Sequence, residues 1–168
     1  MELPAGYTFA IGEEQLKSYW PNLKVNSNFD FTSLRTDIAT PLTPKNYNCV
    51  AWAIGVNDKW MDMPNYFQDY FDLDPDTVDH SVDGYADVLT RYGFERCDDS
   101  NIENGFEKIA IYGDGERVFT HVCRQLANGK WTSKMGEWED IEHSSLEALS
   151  GADYGTPQVF MRRKQSEQ

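Results

Sequence analysis

Apolar residues between positions 78 and 92 recur at helical spacing. They are Val78, Val82, Tyr85, Ala86, Leu89 and Tyr92. Side chains three and four positions apart share one face of a helix. Thr77 can cap the start of such a helix, and Gly93 can follow its end in the left-handed conformation that glycine readily adopts. The pattern therefore predicts an amphipathic helix with one face in the protein core.

Five short β-rich runs follow this predicted helix: residues 94–97, 108–112, 117–126, 130–135 and 158–162. The dipeptide Asn128-Gly129 separates the third run from the fourth, and Asn-Gly is a strong signal for a tight β-hairpin. We therefore expect the three middle runs to form adjacent antiparallel strands. Because helices precede strands along the chain, the pattern indicates an α+β fold.

A shorter apolar stretch covers residues 49–54. It is apolar on nearly every side, which is typical of a helix buried at the centre of a fold. Asn48 is a favourable N-cap residue, so Cys49 is predicted to be the first residue of this helix. Gly55 is a stop signal. The sequence thus predicts a central helix packed on the antiparallel sheet.

The length of 168 residues fits a single domain with a sizeable core. We expect residues 1–168 to fold together, with residues 1–44 as a segment that wraps the domain and residues 45–163 as its core. The segment 29–44 contains Pro and Thr and lacks helical spacing, which favours an extended connection.

The formal net charge is −13 and the isoelectric point is about 4.5. Binding to a phosphate backbone requires clustered Lys and Arg, so this balance argues against nucleic acid and favours neutral, cationic or protein partners. The sequence starts without a basic and apolar leader pattern, and it contains no apolar run long enough for a bilayer. We expect a cytoplasmic protein that binds no membrane. Its oligomeric state is left open.

Three cysteines, Cys49, Cys97 and Cys123, are spaced irregularly. An odd number at such spacing neither builds a disulfide framework nor matches a CxxC zinc pattern. No metal and no cofactor are expected.

Cys49 and His121 are the candidate reactive residues. At a helix start, unpaired backbone N–H groups and the positive end of the dipole favour a thiolate, and a nearby imidazolium lowers the thiol pKa further. His121 lies in the β-rich run 117–126. A cysteine at a helix start followed by a histidine on a strand is the order of parts in papain-like thiol hydrolases. Cys49 would attack an acyl carbonyl, and His121 would protonate the leaving group and then activate water.

Several segments carry a resemblance to a family of uncharacterised bacterial proteins. They are Tyr47-Asn-Cys-Val-Ala-Trp-Ala53, Gly105-Phe-Glu-Lys-Ile-Ala-Ile-Tyr112, Thr120-His121, Gly129-Lys-Trp-Thr-Ser-Lys-Met-Gly136 and Glu139-Asp-Ile-Glu-His143. The match covers roughly residues 40–163. More remotely, the cysteine helix followed by the histidine strand and its hairpin resembles the NlpC/P60 and CHAP cysteine hydrolases. That resemblance implies a papain-like core.

In NlpC/P60-like enzymes a third polar residue on the next strand orients the histidine. Placing that pattern on this chain reaches Ser133 or its neighbour Lys134. Asp140 and His143 are further candidates if the chain after Gly136 folds back. Ser133 and Asp140 are ranked together as candidates for this role.

Three residues are predicted to contact a substrate: Asn46 as an oxyanion donor, Trp60 as part of a cleft wall, and Gln125, which shares a strand face with His121. The favoured function is a cysteine hydrolase or acyl transferase that acts on an amide or thioester bond, with a peptide-like or other amide-containing substrate. The alternative is a non-catalytic protein-interaction or ligand-binding module on the same fold, with an aromatic and acidic groove for its partner.

Overall fold

The computed structural model describes residues 18–22, 29–31, 47–56, 59–63, 66–74, 76–135 and 140–165. The α-helices in these residues are α1 (Cys49–Ala53), α2 (Tyr66–Tyr70) and α3 (Val82–Thr90), and a 3₁₀ helix covers Glu147–Leu149. The strands are β1 (Phe29–Phe31), β2 (Glu95–Cys97), β3 (Phe106–Gly113), β4 (Phe119–Gln125), β5 (Trp131–Lys134), β6 (Asp140–His143) and β7 (Thr156–Lys164). The predicted α+β class is confirmed.

Within the described residues these strands form one antiparallel sheet in the order β1-β6-β5-β4-β3-β7-β2. Strands β3 to β6 follow one another as a meander, so the three adjacent strands predicted from the sequence are confirmed. The last long strand, β7, returns to the free side of β3 and pairs with it from Phe106 to Gly113. β3 is therefore covered by a neighbour on both edges.

The two faces of the sheet carry different layers. We call the side that packs on α1, α2 and α3 the helix face; on the central strands its buried side chains are Ile109, Ile111, Val122, Val159 and Met161. We call the other side the opposite face; its buried side chains include Ala110, Tyr112, Cys123, Trp131, Met135 and Ile141. Trp20, Leu146 and Leu149 cover the opposite face. Because neighbouring residues of a strand point to opposite sides, β3 contributes to both cores.

α3 begins later than the sequence pattern predicts. Ser81 is its N-cap residue, and the Ser81 hydroxyl accepts a hydrogen bond from the backbone N–H of Gly84 at 3.1 Å. Thr77, the predicted cap, lies in a turn before the helix. At the other end Gly93 has φ of +93°, as expected for the residue that ends a helix in the left-handed conformation.

Only parts of the predicted wrapping segment 1–44 lie in the described residues. β1 pairs with β6 at the edge of the sheet, and Trp20 packs in the core of the opposite face. These contacts fix two points of the segment and leave its predicted boundary at residue 44 untested. Among the described residues, no helix combines the length and the apolar composition required to cross a bilayer.

Candidate functional site

Cys49 is the first residue of α1, as predicted, and Asn48 holds the helix start in place. Asn48 has extended backbone angles, and its Oδ1 accepts hydrogen bonds from the backbone N–H groups of Ala51 at 3.2 Å and of Met61 at 3.0 Å. Its Nδ2 donates to the Met61 carbonyl at 2.6 Å. One buried amide thus caps the helix and ties it to the chain at Met61.

The Cys49 sulfur lies against the sheet next to the backbone of Val122. Burial raises the pKa of this thiol to about 11, although hydrogen bonding to the Val122 backbone and the charge of Lys134 act in the opposite direction. The pairing of β4 with β5 covers Arg124–Thr132 and Gln125–Trp131, so Val122 lies two residues beyond the last pair. Cys49 therefore reaches the sheet where these two strands separate.

The predicted lowering of the Cys49 pKa is wrong. Removing a thiolate from water disfavours the charged form, and here this effect exceeds the stabilisation by the backbone N–H groups at the start of a five-residue helix. At neutral pH the sulfur is therefore a protonated thiol.

His121 is completely buried on the opposite face of the sheet. Its ring stacks on Tyr154 with centroids 4.2 Å apart and planes 3° apart, and it lies 5.5 Å from the ring of Tyr112, its neighbour on β3. Neither ring nitrogen has a hydrogen-bond partner in the structure. Burial, with a smaller effect of His143, holds the pKa of His121 well below its ordinary value. The ring is therefore a neutral imidazole at pH 7.

The structure does not join Cys49 and His121 by a hydrogen bond. Cys49 belongs to the helix that packs on the helix face, whereas the His121 ring lies on the opposite face with Tyr112 and Tyr154. A protonated thiol and a neutral imidazole do not form the charged pair of a papain-like site. The catalytic role of both residues stays a prediction.

Ser133 contacts His143 rather than His121. The Ser133 hydroxyl and Nε2 of His143 are 2.8 Å apart, and Nδ1 of His143 is 2.8 Å from the carbonyl oxygen of Ser145. A carbonyl can only accept, so we place the ring proton on Nδ1, and the Ser133 hydroxyl donates to Nε2. Burial lowers the pKa of His143 to about 4. This pair satisfies two buried polar groups and leaves His121 without an orienting hydrogen bond.

Lys134 is a charged side chain on the same side of the sheet as α1, as is Arg124, whose guanidinium lies 4.6 Å from the centroid of the Trp52 ring. Lys134 is completely buried, and its Nζ lies 4.8 Å from the centroid of the Tyr47 ring. Thr132, two residues earlier on β5, accepts a hydrogen bond from Nε1 of Trp52 in α1 at 3.1 Å. Lys134 therefore supplies a positive charge near the start of α1.

The remaining predicted site residues are dispersed or outside the description. Asn46 lies outside the described residues, and so does the side chain of Asp140, whose backbone pairs with Lys134. Trp60 is 41% exposed. Gln125 shares its strand face with His121, but its amide donates to the Ser100 carbonyl at 2.8 Å. It lines a cavity of about 180 Å³ together with residues 102–107, 126–127 and 165.

Sequence reasoning missed Tyr154 as the neighbour of His121 and the Ser133–His143 pair. Tyr154 lies in the turn 151–155, where the sequence predicts no site residue. His143 was considered an orienting residue for His121, and Ser133 likewise. The signal that could have paired them is the register between β5 and β6, which depends on the connection after Met135 and cannot be read from spacing alone.

Comparisons with known proteins identify a family and no characterised relative. Residues 38–162 match the model of a family that is described as a domain of unknown function. No curated protein and no solved structure matches the chain. The predicted membership of an uncharacterised family is thus confirmed, whereas the papain-like, NlpC/P60-like core stays a prediction.

Proposed function

We propose that this chain, which belongs to the DUF7689 family, a domain of unknown function, is a non-catalytic binding module for a cationic protein partner. One observation carries the proposal. The Cys49 sulfur is a protonated thiol against the Val122 backbone, while the His121 imidazole is neutral and buried on the opposite face. Cys49 is half-buried and His121 is completely buried, and no hydrogen bond joins their side chains.

The distribution of charge supports a cationic partner. Eight aspartates and no Lys or Arg occupy residues 60–90: Asp62, Asp69, Asp72, Asp74, Asp76, Asp79, Asp83 and Asp87. Of these, Asp83 forms salt bridges with Arg96 and Arg117 at 3.1 and 3.0 Å. A surface with charges of one sign attracts partners of the other sign and accelerates their association.

A cavity of about 210 Å³ opens among these residues. Its apolar lining consists of Met63, Leu73, Val78 and Val88, and its polar lining includes Asp74, Asp79, Asp87 and Arg91. Its volume is below the range of about 300–1,000 Å³ that is usual for drug-sized ligands. An apolar floor under carboxylates suits the aliphatic stem and charged head of a single Lys or Arg side chain.

Site-resolved alkylation tests the non-catalytic part of the proposal. Iodoacetamide is applied from pH 6 to 10, and mass spectrometry follows Cys49, Cys97 and Cys123 separately. We expect Cys49 to react slowly at pH 7, without a plateau below pH 9, and to react rapidly after unfolding in urea. Preferential reaction of Cys49 with a thiolate below pH 7 would overturn the proposal.

A charge-matched pair of variants tests the partner. The probe is a Lys/Arg-rich peptide, and its affinity is measured at low and physiological salt. Replacing Asp74, Asp79 and Asp87 by Asn should weaken binding at least tenfold. The control replaces the exposed acids Asp98, Glu116 and Asp153 by their amides and changes the net charge equally. Equal losses in both variants would show attraction to net charge alone and would contradict the proposed surface.

A cysteine hydrolase or acyl transferase is the second candidate, because His121 retains two buried and unpartnered ring nitrogens. Leaving a buried polar group unsatisfied costs about 1–3 kcal/mol, and catalytic groups are among the cases in which proteins retain such a cost. The alkylation profile described above separates the two candidates.

A further inference from the structure

A short cover closes over His121 on the opposite face of the sheet. The turn 151–155 is closed by two backbone hydrogen bonds between Gly151 and Gly155, at 3.0 and 2.8 Å. Tyr154 stacks on the imidazole, and its carbonyl accepts a hydrogen bond from the Thr120 hydroxyl at 2.5 Å. Through Tyr154 this turn lies over the buried ring, and Leu146, Ala148 and Leu149 beside it belong to the core of the opposite face.

The groups around the imidazole offer no compensation for a positive charge. Those that face it are Tyr112 on β3, Cys123 on β4, His143 on β6 and Tyr154 in the turn. β5 contributes Ser133 to this face, which does not titrate. Tyrosine and cysteine are neutral in acid, and His143 can only become cationic.

Charged groups that do not face the ring stabilise a protonated His121 little. Glu147 and Asp153 in the cover are exposed. Burial is the main cause that raises the pKa of Tyr112 and of Tyr154, and these carboxylates act less than Cys123 on Tyr112 and less than Cys49 on Tyr154. Exposed carboxylates are screened by water and salt. The Cys49 thiol, whose charge would act on Tyr154, is neutral, and Lys134 on the side of α1 carries a positive charge. A protonated His121 is therefore not accommodated while the cover is closed.

We propose that His121 is an acid sensor whose protonation opens the turn 151–155 and exposes the apolar core of the opposite face. No hydrogen bond holds the ring, so displacement of Tyr154, which also packs on Trp20, gives both nitrogens access to water. The neighbouring strands remain paired, since β3 and β4 each have a paired strand on both sides.

The opening has a defined pH dependence. A solvated histidine has a pKa of about 6.5, so below that value each unit of pH favours the open, protonated state about tenfold more. One proton gives this slope. If opening also exposed His143 and protonated it, the ratio of open to closed protein would rise about a hundredfold per pH unit.

Hydrogen–deuterium exchange on the full chain tests the sensor. Rates are corrected for the intrinsic effect of pH, and amides of residues 151–155 are compared with those of β3 from pH 7.5 to 4.5. In the wild type we expect the turn to lose protection about tenfold per unit below about pH 6.5, while β3 remains protected.

Three variants assign the effect. His121→Phe retains an aromatic ring for Tyr154 and removes the titrating group, so the acid-dependent loss should disappear. His143→Gln should retain it, and so should His80→Gln, which changes an exposed histidine. The proposal is overturned if wild-type protection does not change with pH, if β3 opens in parallel with the turn, or if His121→Phe keeps the wild-type slope.

Discussion

Replacing Asn48 by Ala tests how the start of α1 is held. The substitution removes the N-cap acceptor and three hydrogen bonds, two of which satisfy the buried backbone at Met61. Loss of a cap costs about 1 kcal/mol, and a buried group left unpaired costs about 1–3 kcal/mol. The lost cap together with about one unpaired buried group gives an expected loss of about 3 kcal/mol in the free energy of unfolding.

Urea denaturation at pH 7 measures this loss, with the slope of the transition compared between variants. Asn48→Ser separates the two contributions, because serine can still cap the helix but is too short to bridge to Met61; it should be about 1 kcal/mol more stable than Asn48→Ala. Asn104→Ala, at an exposed turn, is the control and should change stability by less than about 0.5 kcal/mol. A loss below about 1 kcal/mol for Asn48→Ala would refute the anchoring role.

Three further predictions concern other parts of the fold. Burial lowers the pKa of His143 to about 4, so the stabilisation of the fold by its neutral form is complete above pH 6.5 and decreases as the pH falls toward 4. Between pH 7 and pH 5 the wild type should therefore lose about 2 kcal/mol more of its free energy of unfolding than His143→Gln, as measured by urea titration. Gly155→Ala should cost more than about 2 kcal/mol in the same assay, because φ is +70° and a Cβ would lie 2.0 Å from the Gly113 carbonyl oxygen; a neutral result would contradict the close approach. Trp52→Phe should lower the free energy of unfolding by about 1 kcal/mol, because it removes the hydrogen bond from the indole N–H to the Thr132 hydroxyl. A double variant with Thr132→Val that shows no coupling between the two substitutions would contradict this prediction.

Local signals in the sequence were sufficient where one residue decides the structure. Asn48 is a good cap, and α1 begins directly after it. Asn128-Gly129 is a hairpin signal, and β4 and β5 pair across it. For α3 two cap residues were available, and Ser81 rather than Thr77 starts the helix because its hydroxyl reaches the N–H of Gly84.

The candidate site depended on long-range geometry that spacing does not encode. Tyr112 pairs with His121, and the next residue of β3, Gly113, pairs with Phe119. Thr120 is therefore an extra residue in β4, at a shift of the register. Phe119 consequently stacks on Tyr85 on the helix face, while His121 stays on the opposite face. Alternation correctly placed Gln125 on the strand face of His121, but it could not tell which face of the sheet receives α1. The burial of the Cys49 sulfur likewise depends on how the helix packs on β4, which its sequence does not reveal.

The titration of Cys49 tests the central claim most directly, since the account depends on a neutral thiol that is not paired with His121. The protein is labelled with ¹³C at the cysteine Cβ atoms, and the shift of Cys49 is followed by NMR from pH 5 to 12 while the fold is monitored. We predict one step near the pKa of about 11, unchanged in His121→Phe. A step below pH 7.5 that moves when His121 is replaced would show a thiolate–imidazolium pair and would contradict the account.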